Sequence, residues 1–551
     1  MAVTPELAQF YLERGWWTSD RIGDLIGARA QRFPERELFS FEGRRVTYGQ
    51  FDAWVTRVAI DMVEHGVRPG DRVMVQLPNC LEALVMQVAA FRIGAVDVPV
   101  IPIYREHETA QILADARPSV VAVAAQLGSR MPYHEVDTML EQLGQQPLLR
   151  YLVGATAPGW SAVPQLGAAP APEPIALPEP AGADLPAVIL YTSGTTSAPK
   201  GAVLSSRVLF AHLRNMETIA ALGEDTVIAA GTPLSHLSGF LAGLLLPAFL
   251  GARSVVLAGW RPDDAVDVIA AERVTTMLGA TIFLQDLVAR YAAGAGASHR
   301  LPQYLCAGAA IPSQLIQSAS SVGIFATRNY GMTETAGICT GATADDPLDR
   351  RARWDGRLLP GMQIQAVDPD GNLLSDGSEG ELRIRGPQLF DGYTDDALTA
   401  TQFDSDGWFY PGDIGIVDDG WVRMTGRSKD IVNRGGEKFS THDIELALLD
   451  HPDIVAAAVT AVPDDRFGEA VGAWVVLADG IGWVGPRTYL KHLDNSRLAK
   501  AKLPVEWHVV ATIPTTASGK VQKFRLSELS DLATTTGAHL AHESTTEGTQ
   551  P

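Results

Sequence analysis

Cysteine is scarce in this chain. Its 551 residues hold three, Cys80, Cys306 and Cys339, too few and too scattered for a disulfide framework and without the close spacing of a metal-ligand set. A reducing, cytoplasmic setting is therefore expected. Long hydrophobic runs are missing too: the longest, residues 239–252, is 14 residues with Pro247 inside it, short of the roughly 18 that argue a membrane span. The opening MAVTPELAQFYLERGWW carries acids early and no apolar signal core, so neither export nor membrane insertion is expected. Basic residues are outnumbered, 44 Lys and Arg against 64 Asp and Glu, for a formal net charge of −20. That excess repels nucleic acid and anionic membranes at long range. Any anionic ligand must find a locally basic site. A Walker A loop is absent as well: Gly519-Lys520 has Pro514 where the first glycine should stand and Val521 in place of the hydroxyl.

What the chain does have is a dense cluster of hydroxyls, Tyr191-Thr192-Ser193-Gly194-Thr195-Thr196-Ser197-Ala198-Pro199-Lys200-Gly201. Glycine lets backbone approach an anion, hydroxyls donate to phosphate oxygens, and a lysine adds a mobile positive charge. The segment reads as a phosphate cradle. The apolar run at 186–190 before it reads as a buried strand, with the loop leaving a sheet edge.

A chain with 46% hydrophobic residues at this length buries a large core and divides into more than one domain. Apolar residues at helical spacing (Phe51, Trp54, Val55, Val58, Met62) predict a helix over 51–63, and alternation predicts a strand at 72–76. Further apolar runs at 98–103, 254–257 and 275–278, interleaved with a helical pattern over 263–271, imply a layered α/β body. Residues 155–185 are rich in alanine and proline and read as an exposed linker. A new compact unit starts near Lys429 with a helix over 441–450, and beyond about residue 530 the composition turns to that of a disordered tail. The expected organisation is 1–428 as a large layered N-terminal domain, 429–530 as a small α+β domain, and 531–551 as a tail.

Further motifs follow in order: Tyr330-Gly331-Met332-Thr333-Glu334-Thr335, Tyr410-Pro411-Gly412-Asp413, Gly426-Arg427-Ser428-Lys429-Asp430, and Pro514-Thr515-Thr516-Ala517-Ser518-Gly519-Lys520. With the hydroxyl loop they resemble the successive core motifs of the adenylate-forming superfamily, which includes acyl-CoA synthetases, peptide-synthetase adenylation domains and luciferases. The resemblance covers roughly residues 15–530. Ser197 departs from it, standing where the family more often has glycine; serine keeps a phosphate donor. The resemblance implies ATP, Mg²⁺ and coenzyme A, with a carboxylate first forming an acyl-adenylate and a thiol then displacing AMP after the small domain rotates. It assigns the ATP phosphates to Thr192, Ser193, Gly194, Thr195, Thr196 and Lys200, and adenine and ribose to Gly308, Ala309, Ala310, Asn329, Tyr330, Gly331, Thr333, Asp413 and Arg427. Glu334 becomes the Mg²⁺ carboxylate, Lys429 the hinge, and Lys520 the cation bridging the attacking carboxylate and the α-phosphate.

For the acid, the segment 232–240 has neither the aspartate that holds an α-amino group in peptide-synthetase domains nor the asparagine of many aryl-acid activators. A buried, unpaired ammonium is costly, so free amino acids are not expected. His236 matches a position near the acyl carboxylate. Its presumptive neighbours Phe240, Gly243, Gly279, Ala280, Gly308, Ala336 and Gly337 are mostly small and suggest a roomy pocket for a bulky, mainly apolar acid. Gly435, Gly436 and Lys438 resemble the turn that lines the pantetheine tunnel in CoA ligases. CoA is the expected acceptor; a carrier protein, or a partner enzyme that receives the acyl-adenylate, is the alternative. A non-catalytic binding protein is disfavoured because Lys520, Glu334, Asp413 and Arg427 are all present, and no residue speaks for luciferase-like oxidation.

Overall fold

The computed structural model describes residues 3–535 except 168–175, 193–198, 297, 309–310, 428–429, 435–436, 465–466, 496–497, 499, 516–520, 527–528 and 530–533. The chain divides into two compact units, Met1–Pro411 with Ile416–Arg423 and Ala517–Gly519, and Gly412–Gly415 with Met424–Thr516 and Lys520–Pro551. Around the expected 428/429 boundary the chain passes between the units at Pro411/Gly412, Gly415/Ile416 and Arg423/Met424.

The larger unit is built on two mainly parallel sheets. In the eight-stranded sheet the spatial order is Gly392–Tyr393, Lys200–Ser205, Pro186–Thr192, Val96–Pro99, Arg72–Gln76, Val120–Ala124, Leu149–Val153 and Ser161–Ala162. Strands such as Val120–Ala124 are apolar at every position and buried throughout, the pattern of a parallel sheet covered on both faces. The helix Leu81–Arg92 lies against Arg72–Gln76 and Val96–Pro99, and packed on it is the helix Tyr48–Glu64, started by a Thr47/Gln50 capping box. It buries all five residues whose spacing predicted it. The seven-stranded sheet runs Phe325–Arg328, Gln303–Cys306, Thr276–Gly279, Val227–Ala230, Arg253–Val256, Glu37–Phe41 and Arg44–Thr47, parallel except for the last pair. Parallel strands end on one side of their sheet, and that side is where open α/β sheets place ligands. Gly279, Cys306 and Arg328 are all strand ends of this kind.

Several expectations shift. Of the apolar run at 98–103 only Val98 and Pro99 are strand, at the end of Val96–Pro99. The 155–185 linker is pinned at its start: Trp160 and Val163 are buried, and the Trp54 indole donates to Pro164 O. Residues 239–252 form two short helices, Leu237–Phe240 and Leu246–Leu250, joined through a π-helical turn at Leu241–Leu245. Among the described residues no helix is long and apolar enough to cross a membrane.

Asp97 interrupts the core. It lies mid-strand with no exposed surface, and burial raises its carboxyl well above the usual range, offset in part by Val98 N–H and by Gln87. The folded state therefore keeps a proton that the unfolded chain releases above about pH 3.9. Stability must fall as pH rises from there toward the folded value. Asp97→Asn removes this component, so its urea midpoint should gain on the wild type between about pH 5 and pH 8. A difference that stays constant across that range contradicts the protonated assignment.

The smaller unit has its own sheet, in which Gly468–Leu477 pairs with Ile454–Asp464, Ile431–Arg434 and Glu506–Val509. The helices His442–Leu449 and Pro486–Asn495 contribute Ile444, Leu448, Tyr489 and Leu493 to a core with Val459, Val471 and Trp507. Thr534 and Thr535, in the segment read as a tail, pair with Val509 and His508.

Candidate active site

The hydroxyl loop is a hairpin connection. Pro186–Thr192 and Lys200–Ser205 pair antiparallel in a register that sets Thr192 opposite Lys200 and Tyr191 opposite Gly201. The loop therefore joins two strands inside the eight-stranded order and does not leave a sheet edge; the edge is the two-residue strand Gly392–Tyr393 beside it. Ser193, Gly194, Thr195 and Thr196 lie outside the described residues, but the roots of the loop are well defined. The Tyr191 hydroxyl donates to the Asp115 carboxylate, and Thr394 Oγ1 donates to the same Asp115 Oδ2 at 2.8 Å. One carboxylate thus ties the entry strand of the loop to the edge strand. Thr192 Oγ1 reaches Lys200 O at 3.5 Å.

Glu334 sits on a second, tighter hairpin. Gly331–Met332 pairs with Gly337–Ile338 around the 3₁₀ turn Thr333–Thr335. A Cβ on Gly331 would lie 2.1 Å from Gly337 O, so the strands approach this closely only because the residue is glycine. Gly337 takes φ +125°, and a Cβ there would meet the His212 ring at 2.7 Å. Burial pushes His212 down to about 4, which leaves it a neutral ring supporting the turn. Glu334 is anchored twice from outside its hairpin: Phe390 N–H donates to Glu334 O at 2.8 Å, and Tyr393 Oη donates to Glu334 Oε1 at 2.7 Å. Lys200 Nζ lies 5.8 Å from the centroid of the same Tyr393 ring, within cation–π range. A phosphate-loop lysine and a carboxylate far apart in sequence thus share one tyrosine.

The expected adenine border is assembled from two strand ends. Asn329 donates to Cys306 O through both its backbone N–H and its side-chain amide, each at 3.0 Å. Its amide also reaches Thr327 O and Oγ1. Asn329 is therefore engaged in holding the strand ends together. Tyr330 is buried, with its N–H donating to Thr340 Oγ1 at 2.8 Å. Gly308, two residues beyond Cys306, has φ +92° and nothing within 4 Å of an added Cβ; Ala309 and Ala310 lie outside the described residues. Thr333 opens the turn that carries Glu334.

His236 caps the helix Leu237–Phe240. Its Nδ1 lies 3.0 Å from Ser238 Oγ, which in turn donates to Thr232 Oγ1 at 3.3 Å. Asn79, which composition and motif did not single out, holds this turn from the other sheet. Its amide donates to Thr232 O and Leu257 O at 3.1 and 2.9 Å, and its Oδ1 accepts from Leu234 N–H at 2.8 Å. Its place just past the carboxyl end of strand Arg72–Gln76 is the available sequence signal.

The expected small-residue wall is packed against protein. A Cβ on Gly243 would lie 2.3 Å from Leu234 Cδ2, and one on Gly279 would lie 2.5 Å from Tyr304 Oη. Ala280 O accepts from that same hydroxyl at 2.8 Å, Phe240 is buried against Phe91, and Ala336 is fully buried beside Gly337. At Gly243, Gly279 and Gly337 a neighbour fills the space that a side chain would need. Of the expected pocket glycines among the described residues, Gly308 is the one that opens into free volume.

In the smaller unit Asp413, 1% exposed, forms an ion pair with Arg427, Nε to Oδ1 2.9 Å. The two residues expected at the ribose and phosphate therefore meet each other. Lys438 lies in strand Glu437–Ser440, paired with Asn433. Lys429, Gly435, Gly436 and Lys520 lie outside the described residues.

Among the described residues no cluster of three or more His, Cys, Asp or Glu could cage a metal. One oriented carboxylate, Glu334, is a donor set suited to Mg²⁺, which commonly takes one or two carboxylates and fills its sphere with phosphate and water.

The AMP-binding enzyme family matches residues 26–394, and the AMP-binding enzyme C-terminal domain matches residues 443–520. A medium-chain fatty-acid–CoA ligase of Escherichia coli (strain K12) is 34% identical over 94% of this chain and 91% of its own length. A 2-hydroxy-7-methoxy-5-methyl-1-naphthoate–CoA ligase of Streptomyces carzinostaticus is 30% identical over 94% of each chain. Among solved structures, ATP-bound MatB from Rhodopseudomonas palustris superposes with a TM-score of 0.81 at 28% identity, covering 93% of this chain and 99% of that one.

Proposed function

This chain belongs to the AMP-binding enzyme family and is an ATP-dependent acid–CoA ligase working through an acyl-adenylate, and we propose that its acid is bulky and mainly apolar. The observation that carries the site assignment is the Tyr393 ring, with the Glu334 carboxylate on its hydroxyl and the Lys200 ammonium at its face.

In the first half-reaction the loop 192–200 holds the β and γ phosphates. Negative charge grows on pyrophosphate as the α-phosphorus is attacked, so donors and the Lys200 ammonium fixed there lower the barrier beyond what ground-state binding gives. Glu334 would hold Mg²⁺, which when bound would neutralise phosphate charge. Tyr330 lies against adenine, and Asp413 with Arg427 takes the ribose side. Lys520 bridges the incoming carboxylate and the α-phosphate, where two anions would otherwise repel. His236 borders the acid's carboxyl end. In the second half-reaction the CoA thiol displaces AMP, with Gly435, Gly436 and Lys438 along the path of its arm.

Support for an apolar acid comes from the turn around His236. Thr232, Leu234, Leu237 and Phe240 carry no charge that could pair with a second carboxylate or an ammonium on the acid. The relatives named for a medium-chain fatty acid and a substituted naphthoate agree in chemical class. The test is a panel of aliphatic, aromatic and polycyclic acids with short and amino-acid controls, followed by pyrophosphate release and by the mass of the CoA thioester. Turnover concentrated on the larger apolar acids supports the reading; a preference for short, dicarboxylic or amino acids overturns it.

A further inference from the structure

The segment 390–394 is a strap between the two hairpins of the site. Its backbone belongs to the phosphate-loop hairpin: Gly392 and Tyr393 pair with Val203 and Ala202, Asp391 N–H donates to Val203 O at 2.9 Å, and Thr394 N–H donates to Gly201 O at 2.8 Å. Gly201 and Thr394 pack so closely that a Cβ on the glycine would lie 2.9 Å from the threonine side chain. The Asp391 carboxylate accepts from Ser205 N–H at 2.7 Å, and Asp115 holds Thr394 and Tyr191 together. At its other end the strap reaches Glu334, through Phe390 N–H to the carbonyl and Tyr393 Oη to the carboxylate.

We propose that Tyr393 is a positioning residue that sets the Glu334 carboxylate relative to the phosphate loop, so that the loop and the cation-binding carboxylate move as one piece. The inference rests on the reading of Glu334 as the Mg²⁺ carboxylate. A carboxylate has two oxygens and about four acceptor directions; a phenol on Oε1 fixes its plane without exhausting its capacity for a cation. The phenol is suited to the task because its hydroxyl donates where the carboxylate accepts, Oη to Oε1 at 2.7 Å. The ring face does separate work. It sits under Lys200 while the edge hydroxyl holds Glu334, so the opposite charges are kept near each other without forming a direct ion pair that would neutralise both before nucleotide arrives. Phe390, 4.8 Å from the ring centroid and edge-on, fixes the ring plane.

The test is Tyr393→Phe, which keeps the ring, its packing and its contact with Lys200 and deletes the hydroxyl alone. Removing an outer partner of a metal ligand typically weakens metal affinity by about 10–100-fold. Accordingly, ATP binding followed by calorimetry should require about 10–100-fold more free Mg²⁺ for half-saturation in the variant, whereas ATP binding in EDTA, and thioester formation from supplied acyl-adenylate, should change less than about twofold. In a Glu334→Gln background the same change should add little, because the two residues act as a unit. An unchanged Mg²⁺ requirement in Tyr393→Phe, or full additivity with Glu334→Gln, overturns the tether. If Glu334→Gln itself leaves the Mg²⁺ requirement unchanged, the reading of Glu334 falls and the tether with it, and the two failures are told apart by which single variant is silent. Equal losses in EDTA and Mg²⁺ also overturn the proposal, since they mark a general packing defect.

Discussion

Lys520→Ala should slow acyl-adenylate formation by about 10²–10³-fold, the range found when a preorganised charge-stabilising group is removed from an active site. Its conversion of supplied acyl-adenylate and CoA to thioester should stay within a few-fold of wild type. The asymmetry follows from where charge develops. In the first half-reaction a carboxylate approaches a phosphate, and the pentavalent centre and the departing pyrophosphate both carry negative charge, so an ammonium held between the reactants acts in the transition state far more than in the ground state. In the second, a thiol attacks an already activated carbonyl and the leaving group is AMP. In the sequence Lys520 closes a Ser-Gly-Lys motif after Pro514. Pyrophosphate exchange and a single-turnover thioester assay separate the steps; comparable loss in both contradicts the assigned role.

Gly331→Ala should be the second most damaging change, through geometry alone. The added methyl would lie 2.1 Å from Gly337 O and 2.5 Å from Ile338 Cα, backbone atoms of the facing strand that have no rotamer to escape into. The hairpin has to open, and it carries Glu334 at its tip. Overpacking of this kind costs about 1–3 kcal/mol. A displacement near 1 Å of a group that positions reactants costs about 10²-fold in rate. Gly223→Ala is the matched control: an added Cβ there has nothing within 4 Å and the backbone is not in the left-handed region, so stability should stay within about 0.5 kcal/mol and rate should be unaltered. Near-wild-type exchange by Gly331→Ala would show that the hairpin tolerates opening and that Glu334 is not critically placed.

The motifs legible in the sequence are those written in contiguous residues. The hydroxyl loop, the Glu334 turn and the glycine–lysine motif each declare a chemistry within about ten positions, and Phe51 to Met62 declare a helix by spacing. Residues that organise the site across the fold were not legible. Tyr393 is 59 positions from the carboxylate it holds, and Asn79 is 153 and 178 positions from two of its acceptors. Nothing local distinguishes such a tyrosine from one that simply fills a core. Small residues are ambiguous for a related reason: in sequence Gly243 and Gly279 are compatible with an open wall or with a close neighbour, and it takes the packing of Leu234 and Tyr304 to show what an added Cβ would meet. The apolar run at 98–103 ended early as a strand because apolarity marks burial, while strand length is set by the partners at Arg72–Gln76 and Pro186–Thr192.

Acyl-adenylate formation requires that the acid's own oxygen become bonded to the α-phosphorus of ATP. An accepted acid labelled with ¹⁸O in both carboxyl oxygens, incubated with ATP and CoA, tests it by the mass of the nucleotide product. AMP carrying one ¹⁸O per molecule and a thioester retaining the other are expected; unlabelled AMP, or label appearing in inorganic phosphate, would rule out an acyl-adenylate.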